Sequence, residues 1–124
     1  MISPSETPVD ATRTEQRLAA LLRQAPLEFA RVVYGINDRA AGRHHSMAAE
    51  DVARAERQHG ITVTRERAEQ RARGYLPVAG HEHCPRCWVF SGTKTLLSFH
   101  DNEDGSVETA KCRNCGAEYA SASL

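Results

Sequence analysis

Four cysteines in two close pairs constrain this chain more than any other feature. Cys84-Pro-Arg-Cys87 and Cys112-Arg-Asn-Cys115 are separated by 24 residues, and the chain holds no other cysteine. Each CxxC folds into a tight turn that offers two thiolates from one side, and two such turns complete a tetrahedron around Zn²⁺. The first ten residues have no apolar run and no early basic cluster, so no signal peptide is expected and the predicted location is the cytoplasm. Thiols stay reduced there, and paired cysteines then read as metal ligands rather than disulfides. A redox role for Cys84-Pro-Arg-Cys87 asks for a helix opening after a strand, whereas Trp88-Val-Phe90 looks strand-like. A site with four thiolates is closed, so the expected zinc is one structural ion and no catalytic residue is assigned.

The residues between the pairs predict a β-hairpin. Trp88-Val-Phe90 and Thr93–His100 are rich in strand formers, Asn102-Glu-Asp-Gly105 is a turn signal, and 106–111 returns toward the second pair. Ala117-Glu-Tyr119 supplies a further short strand. Gly116 suits a turn that needs positive φ after the second pair. Trp88 occupies the matching place after the first pair, which predicts a looser turn or a Trp88 ring packed over it. Residues 81–121 are thus expected to form a three-stranded antiparallel zinc ribbon.

The preceding chain reads as helical. Residues 1–11, with two Pro and two Ser, form a predicted disordered lead. Thr12 and Glu15 make a capping-box pattern, and Leu18, Leu21, Leu22 and Ala25 follow at helical spacing. Pro26 should end or kink that helix. Leu27, Ala30, Val33 and Tyr34 then continue a second one, capped by Gly35. A loop is expected over 36–45, a helix over 47–58 between Ser46 and Gly60, and another over 65–73 after Thr64. The organisation is a helical module at 12–75, a linker at 76–80 and the ribbon: an α+β protein.

Charge limits the partners. Sixteen basic and sixteen acidic residues leave no net charge, which argues against a protein that coats nucleic acid through bulk charge. Residues 76–124 carry four basic side chains against six acidic ones. The cations on the two CxxC turns, Arg86 and Arg113, offer local contact points. The segment 46–74 allows a helix-turn-helix in which Arg65, Arg67, Arg71 and Arg73 face a DNA groove. The competing reading is a solvated helix whose arginines are offset by Glu66 and Glu69. No stretch is long and apolar enough for a membrane span, and no Gly-rich phosphate loop or nucleophile triad predicts a small-molecule substrate.

Residues 84–119 resemble the zinc-ribbon group, and within it they are similar to the C-terminal ribbon of transcription elongation factor S. In that family an Asp-Glu pair on the hairpin tip reaches into the RNA polymerase active site and helps hold a metal for transcript cleavage. Glu103-Asp104 stands at those offsets before Cys112, in swapped order, and His100 stands where the family has a basic residue. The expected function is recognition: a rigid zinc-ribbon surface for a protein partner, such as RNA polymerase or other nucleic-acid machinery, or for DNA or RNA, in transcription, replication or a phage–host contest. The alternatives are a sequence-specific DNA regulator through residues 46–74 and a cleavage-assisting factor through Glu103 and Asp104.

Overall fold

A computed structural model of the chain describes residues 8–101 and 108–120. It opens with one long helix, α1 (Pro8–Ala40). The sequence predicted a lead to residue 11 and a break at Pro26. Thr12 and Glu15 instead lie inside the helix, and residues 1–7 lie outside the described residues. Pro26 lacks the N–H that would bond the Leu22 carbonyl, a cost of about 3 kcal/mol in a helix interior. The helix continues because Pro26 is on its exposed face, while the turns on either side bury Leu21 and Ala25, then Glu28 and Val32. Ending the helix at Pro26 would take Glu28 and Val32 off the face that Leu21 and Ala25 share.

Gly35 does not cap a helix either. It lies within α1, and a Cβ there would meet Val52 Cγ2 and the Ala48 carbonyl oxygen, each at 2.6 Å. Its missing side chain lets α1 approach α2 (Met47–His59) closely, so the loop starts at residue 41 rather than 36.

Local capping explains the next two helices, which fall where the sequence predicts them. The Ser46 hydroxyl accepts from the Ala49 N–H at 3.0 Å, and Gly60 closes α2 at φ 62°. The Thr64 hydroxyl accepts from the Arg67 N–H at 3.3 Å and starts α3 (Arg65–Arg73). The buried Val63 is held between them: its N–H donates to Glu56 Oε2 at 2.9 Å, and Glu56 also pairs with Arg39 of α1.

A fourth helix, α4 (Pro85–Ser91), replaces the strand expected at Trp88-Val-Phe90. A three-residue apolar run cannot distinguish strand from helix by period, and the flanks decide: Cys84 is the N-cap, Pro85 fits the first turn, and Gly92 caps the end at φ 73°. Val89 and Phe90 then point into a cluster with Val32, Val52, Val63 and Ala68, where all four helices meet.

Three antiparallel strands follow: β1 (Ser98–Asp101), β2 (Glu108–Lys111) and β3 (Glu118–Ala120), in the order β1-β2-β3. Phe99 pairs with Ala110, and Ala110 with Tyr119, so one row crosses the sheet on its covered face. The architecture is α+β, four helices followed by a three-stranded sheet. The predicted Asn102–Gly105 turn lies outside the described residues. Leu21 and Ala25 of α1 share a buried cluster with Ala110, Tyr119 and three of the cysteines, across the segment 76–80.

Candidate metal centre

Two turns of different construction bring the cysteines together. In the first, Cys84 is fixed by a short antiparallel ladder: its N–H donates to the Thr95 carbonyl at 2.7 Å, and the Leu97 N–H to the Glu82 carbonyl at 3.0 Å. The chain then turns straight into α4, which carries Cys87 one helical turn on. Because Trp88 is helical, the first turn needs no glycine after it. The Trp88 ring packs against the buried cluster that holds Cys84 and Cys87, and its Nε1–H donates to the Arg71 carbonyl at 2.8 Å. The second turn is a true knuckle. The Gly116 N–H donates to the Cys112 carbonyl and the Cys112 N–H to the Ala117 carbonyl, both at 2.9 Å, with Gly116 at φ 78°.

The sulfur atoms converge across the two turns. Cys84 Sγ lies 3.5 Å from Cys115 Sγ, and Cys87 Sγ lies 3.7 Å from Cys112 Sγ. All four fall within 4.8 Å of one another; three of these cysteines are buried and Cys115 is half-buried. Zinc–sulfur bonds of about 2.3 Å in a tetrahedron put neighbouring sulfurs roughly 3.8 Å apart, so the donor set fits one tetrahedral ion. Four anionic sulfurs also need N–H donors, and the turns supply them: the Cys115 and Asn114 backbones serve Cys112, and the Ala117 backbone serves Cys115. The Cys87 N–H points at Cys84 Sγ at 3.5 Å, and Asn114 Nδ2 at Cys87 Sγ at 3.4 Å.

Without a cation the four thiols compete for protons. Cys87 is held well below the usual thiol range, chiefly by hydrogen bonds from the Cys115 and Cys84 thiols. Cys112 is brought down to about 6, chiefly by a hydrogen bond from Cys84. Cys84 is pushed far up by sharing its one proton among Cys112, Cys115 and Cys87, and then by burial. A dication in the centre removes this conflict by replacing the shared protons.

The opening of α4 at Cys84-Pro-Arg-Cys87 supplies the helix whose absence argued against a redox pair. The second pair carries the argument instead. Cys112 and Cys115 close on the first two sulfurs from the other side, which an isolated dithiol does not require. No protein family matches this chain, and neither a curated protein nor a solved structure matches it.

The other residues singled out from the sequence are scattered. Arg86 pairs within the chain. Burial disfavours its charge, but Glu28 outweighs this and raises its pKa: Nε donates to Glu28 Oε1 at 2.9 Å. Tyr119 Oη donates to Glu28 Oε2 at 2.8 Å, and burial, then the Glu28 charge, pushes the Tyr119 pKa up. Arg113 is exposed on the second knuckle. Glu103 and Asp104 lie outside the described residues. Arg71 is turned inward, donating to the Val89 carbonyl at 3.4 Å and the Phe90 carbonyl at 3.0 Å. Arg65, Arg67 and Arg73 are exposed, and Arg73 pairs with Glu69 at 3.2 Å.

Sequence reasoning missed the support around the centre. Glu28 is 91 residues from Tyr119 and 58 from Arg86, so no local pattern announces it. His83, one residue before Cys84, is buried, edge-on to Tyr75 at 4.7 Å and Trp88 at 5.6 Å. Burial, then the charge of Lys94, lowers its pKa. Arg54 joins α2 to the second knuckle by donating to the Cys115 carbonyl at 3.3 Å. A cleft lined by Asp51, Arg54, Gln58, Asn114 and Cys115 runs along that junction.

Proposed function

We propose that this chain is a zinc-ribbon recognition protein whose partner is another protein of the nucleic-acid machinery, with Zn²⁺ in a purely structural role. The observation that carries the reading is the closed cradle: four mutually close sulfurs, most of them buried, fill every position of a tetrahedral ion. Bound there, zinc supplies a cross-link between the two turns and leaves no position for water or substrate. The residues around it orient and neutralise rather than react: Asn114 donates to sulfur, Glu28 absorbs the charge of Arg86, and Arg54 ties the knuckle to α2.

Charge placement supports a protein partner over phosphate. Of the cations of the ribbon, Arg86 is neutralised internally and Lys111 pairs with Glu118 at 3.2 Å, so few remain for a nucleic-acid backbone. No helix among the described residues is long and apolar enough to cross a membrane.

The experiment has two readouts. Freshly purified reduced protein should carry about one equivalent of zinc, as a single closed site requires. Zinc-loaded protein, tagged and applied to nuclease-treated host lysate, should retain a protein partner that the Cys112→Ser variant does not. Metal content well below half an equivalent overturns the zinc reading. Retention seen only when the lysate is left without nuclease overturns the protein-partner reading in favour of nucleic acid.

A further inference from the structure

A soluble helix normally shows one apolar face, and α1 shows two. Its inner face is spent on the cores. On its outer face Leu22, Pro26, Leu27, Ala30 and Tyr34 follow one another at spacings of one, three and four residues, with the exposed Arg23 a cation among them. Leu27 is 60% exposed and Tyr34 66% exposed. The stripe does not stop at the edge of the helix. Ala48 of α2 joins Leu27, Ala30 and Tyr34 along one groove, and the neighbouring Met47 is 77% exposed. Arg31, which also lines the groove, sends its guanidinium away to Asp51 at 3.0 Å and leaves its stem beside the apolar side chains.

We propose that this outer face of α1, with the start of α2, docks against the same face of a second copy of the chain. Three observations select a second copy. The stripe alternates large Leu27 and Tyr34 with small Ala30, so turned about a two-fold axis it presents knobs to its own gaps. The chain has no net charge, so two copies meet without long-range repulsion. The area is also sufficient. Large apolar side chains exposed to this degree contribute on the order of 500 Å² per copy, and a pair then buries about 1,000 Å², the lower bound for a specific interface. An interface of that size forms a reversible dimer rather than an obligate one. The inference does not depend on the metal.

Sedimentation velocity on the full zinc-loaded chain, over a range of concentrations, tests it. Wild type should move with concentration from 13.7 kDa toward twice that mass. Leu27→Asp and Tyr34→Asp should each weaken self-association by at least about tenfold, as loss of a central apolar anchor does. Arg67→Asp, on exposed α3, should leave it unchanged. Helical circular dichroism and bound metal monitor folding, and Met47→Asp, on a different helix, gives an independent answer if Leu27→Asp does not fold. A wild type that stays monomeric at every concentration overturns the proposal, as does a dimer indifferent to the substitutions. A monomer that binds a different protein or a lipid vesicle in a Tyr34-dependent way gives the face to that occupant and equally overturns it.

Discussion

Glu28 holds together parts of the chain that the metal alone would not. It is 4% exposed and receives Arg86 from α4 and Tyr119 from β3. Removing the carboxylate leaves the buried Arg86 with only Asp51, 3.6 Å away, so Glu28→Ala is expected to cost about 3 kcal/mol in urea unfolding. Glu69→Ala breaks the exposed pair with Arg73, which water screens, and should change stability by less than about 0.5 kcal/mol. Similar losses for the two variants would show that Glu28 is only a surface partner. Tyr119 adds a pH dependence. Its pKa in the folded chain is raised, first by burial and then by Glu28. The neutral phenol is therefore the native form. Its contribution is complete below the unfolded value of about 10 and is lost as pH rises beyond it, because the unfolded chain ionises first. Urea midpoints should fall above about pH 10, and Tyr119→Phe should reduce that fall. An unchanged alkaline limb in the variant would assign it to Tyr75, whose pKa burial also raises.

The helices differ in how much of each could be read from the sequence. Those set by their own ends were legible: Ser46 and Gly60 bound α2, and Thr64 starts α3, within one residue of expectation. Ser46 and Thr64 each act through a hydroxyl on the backbone N–H three residues on, and Gly60 supplies the positive φ that ends α2. The misread elements depend on distant partners. Pro26 reads as a break because the sequence does not show that Val32 and Glu28 have a core to enter. Trp88-Val-Phe90 reads as a strand because its partners in the helical core, Val32 and Val52, lie far back in the chain. The cysteine cluster was legible because metal ligation needs only residue type and spacing, whereas its Glu28–Arg86 support was not. Gly35 is a third such case and gives the prediction for this scale. Alanine normally stabilises a helix by about 1 kcal/mol over glycine. At residue 35 the added methyl would stand 2.6 Å from Val52 Cγ2 and from a backbone oxygen of α2. Overpacking of that kind costs about 1–3 kcal/mol, so Gly35→Ala should lower the melting temperature despite its better propensity. A raised melting temperature would mean that α1 and α2 slide apart without loss.

For the whole molecule, the question is how far the metal centre governs the helices. Cys84, Cys87 and Cys112 sit in the same buried cluster as Leu21 and Ala25 of α1, and Ala72 and Trp88 touch both this cluster and the one around Val52. The α4 helix begins on Cys84 of the cysteine cluster and ends inside the helical core with Phe90. Arg17 ties the N-terminal half of α1 to β2 through Glu108, at 2.7 and 2.5 Å. With zinc bound as proposed, losing the ion would restore the proton competition among four crowded thiols and remove the cross-link between the turns. Binding energy is folding energy in such sites, and apparent values of about 10–16 kcal/mol for small zinc domains exceed the net stability of most domains of this size. Chelation is therefore expected to unfold the chain as one unit: the far-ultraviolet helical signal, dominated by the 33 residues of α1, should fall together with tyrosine and tryptophan fluorescence changes along a single transition. Restoring zinc under reducing conditions should recover both signals. If the helical signal instead persists while fluorescence changes, α1–α3 fold alone and the contacts of Leu21, Ala25 and Glu28 with the ribbon are a docking interface rather than a shared core.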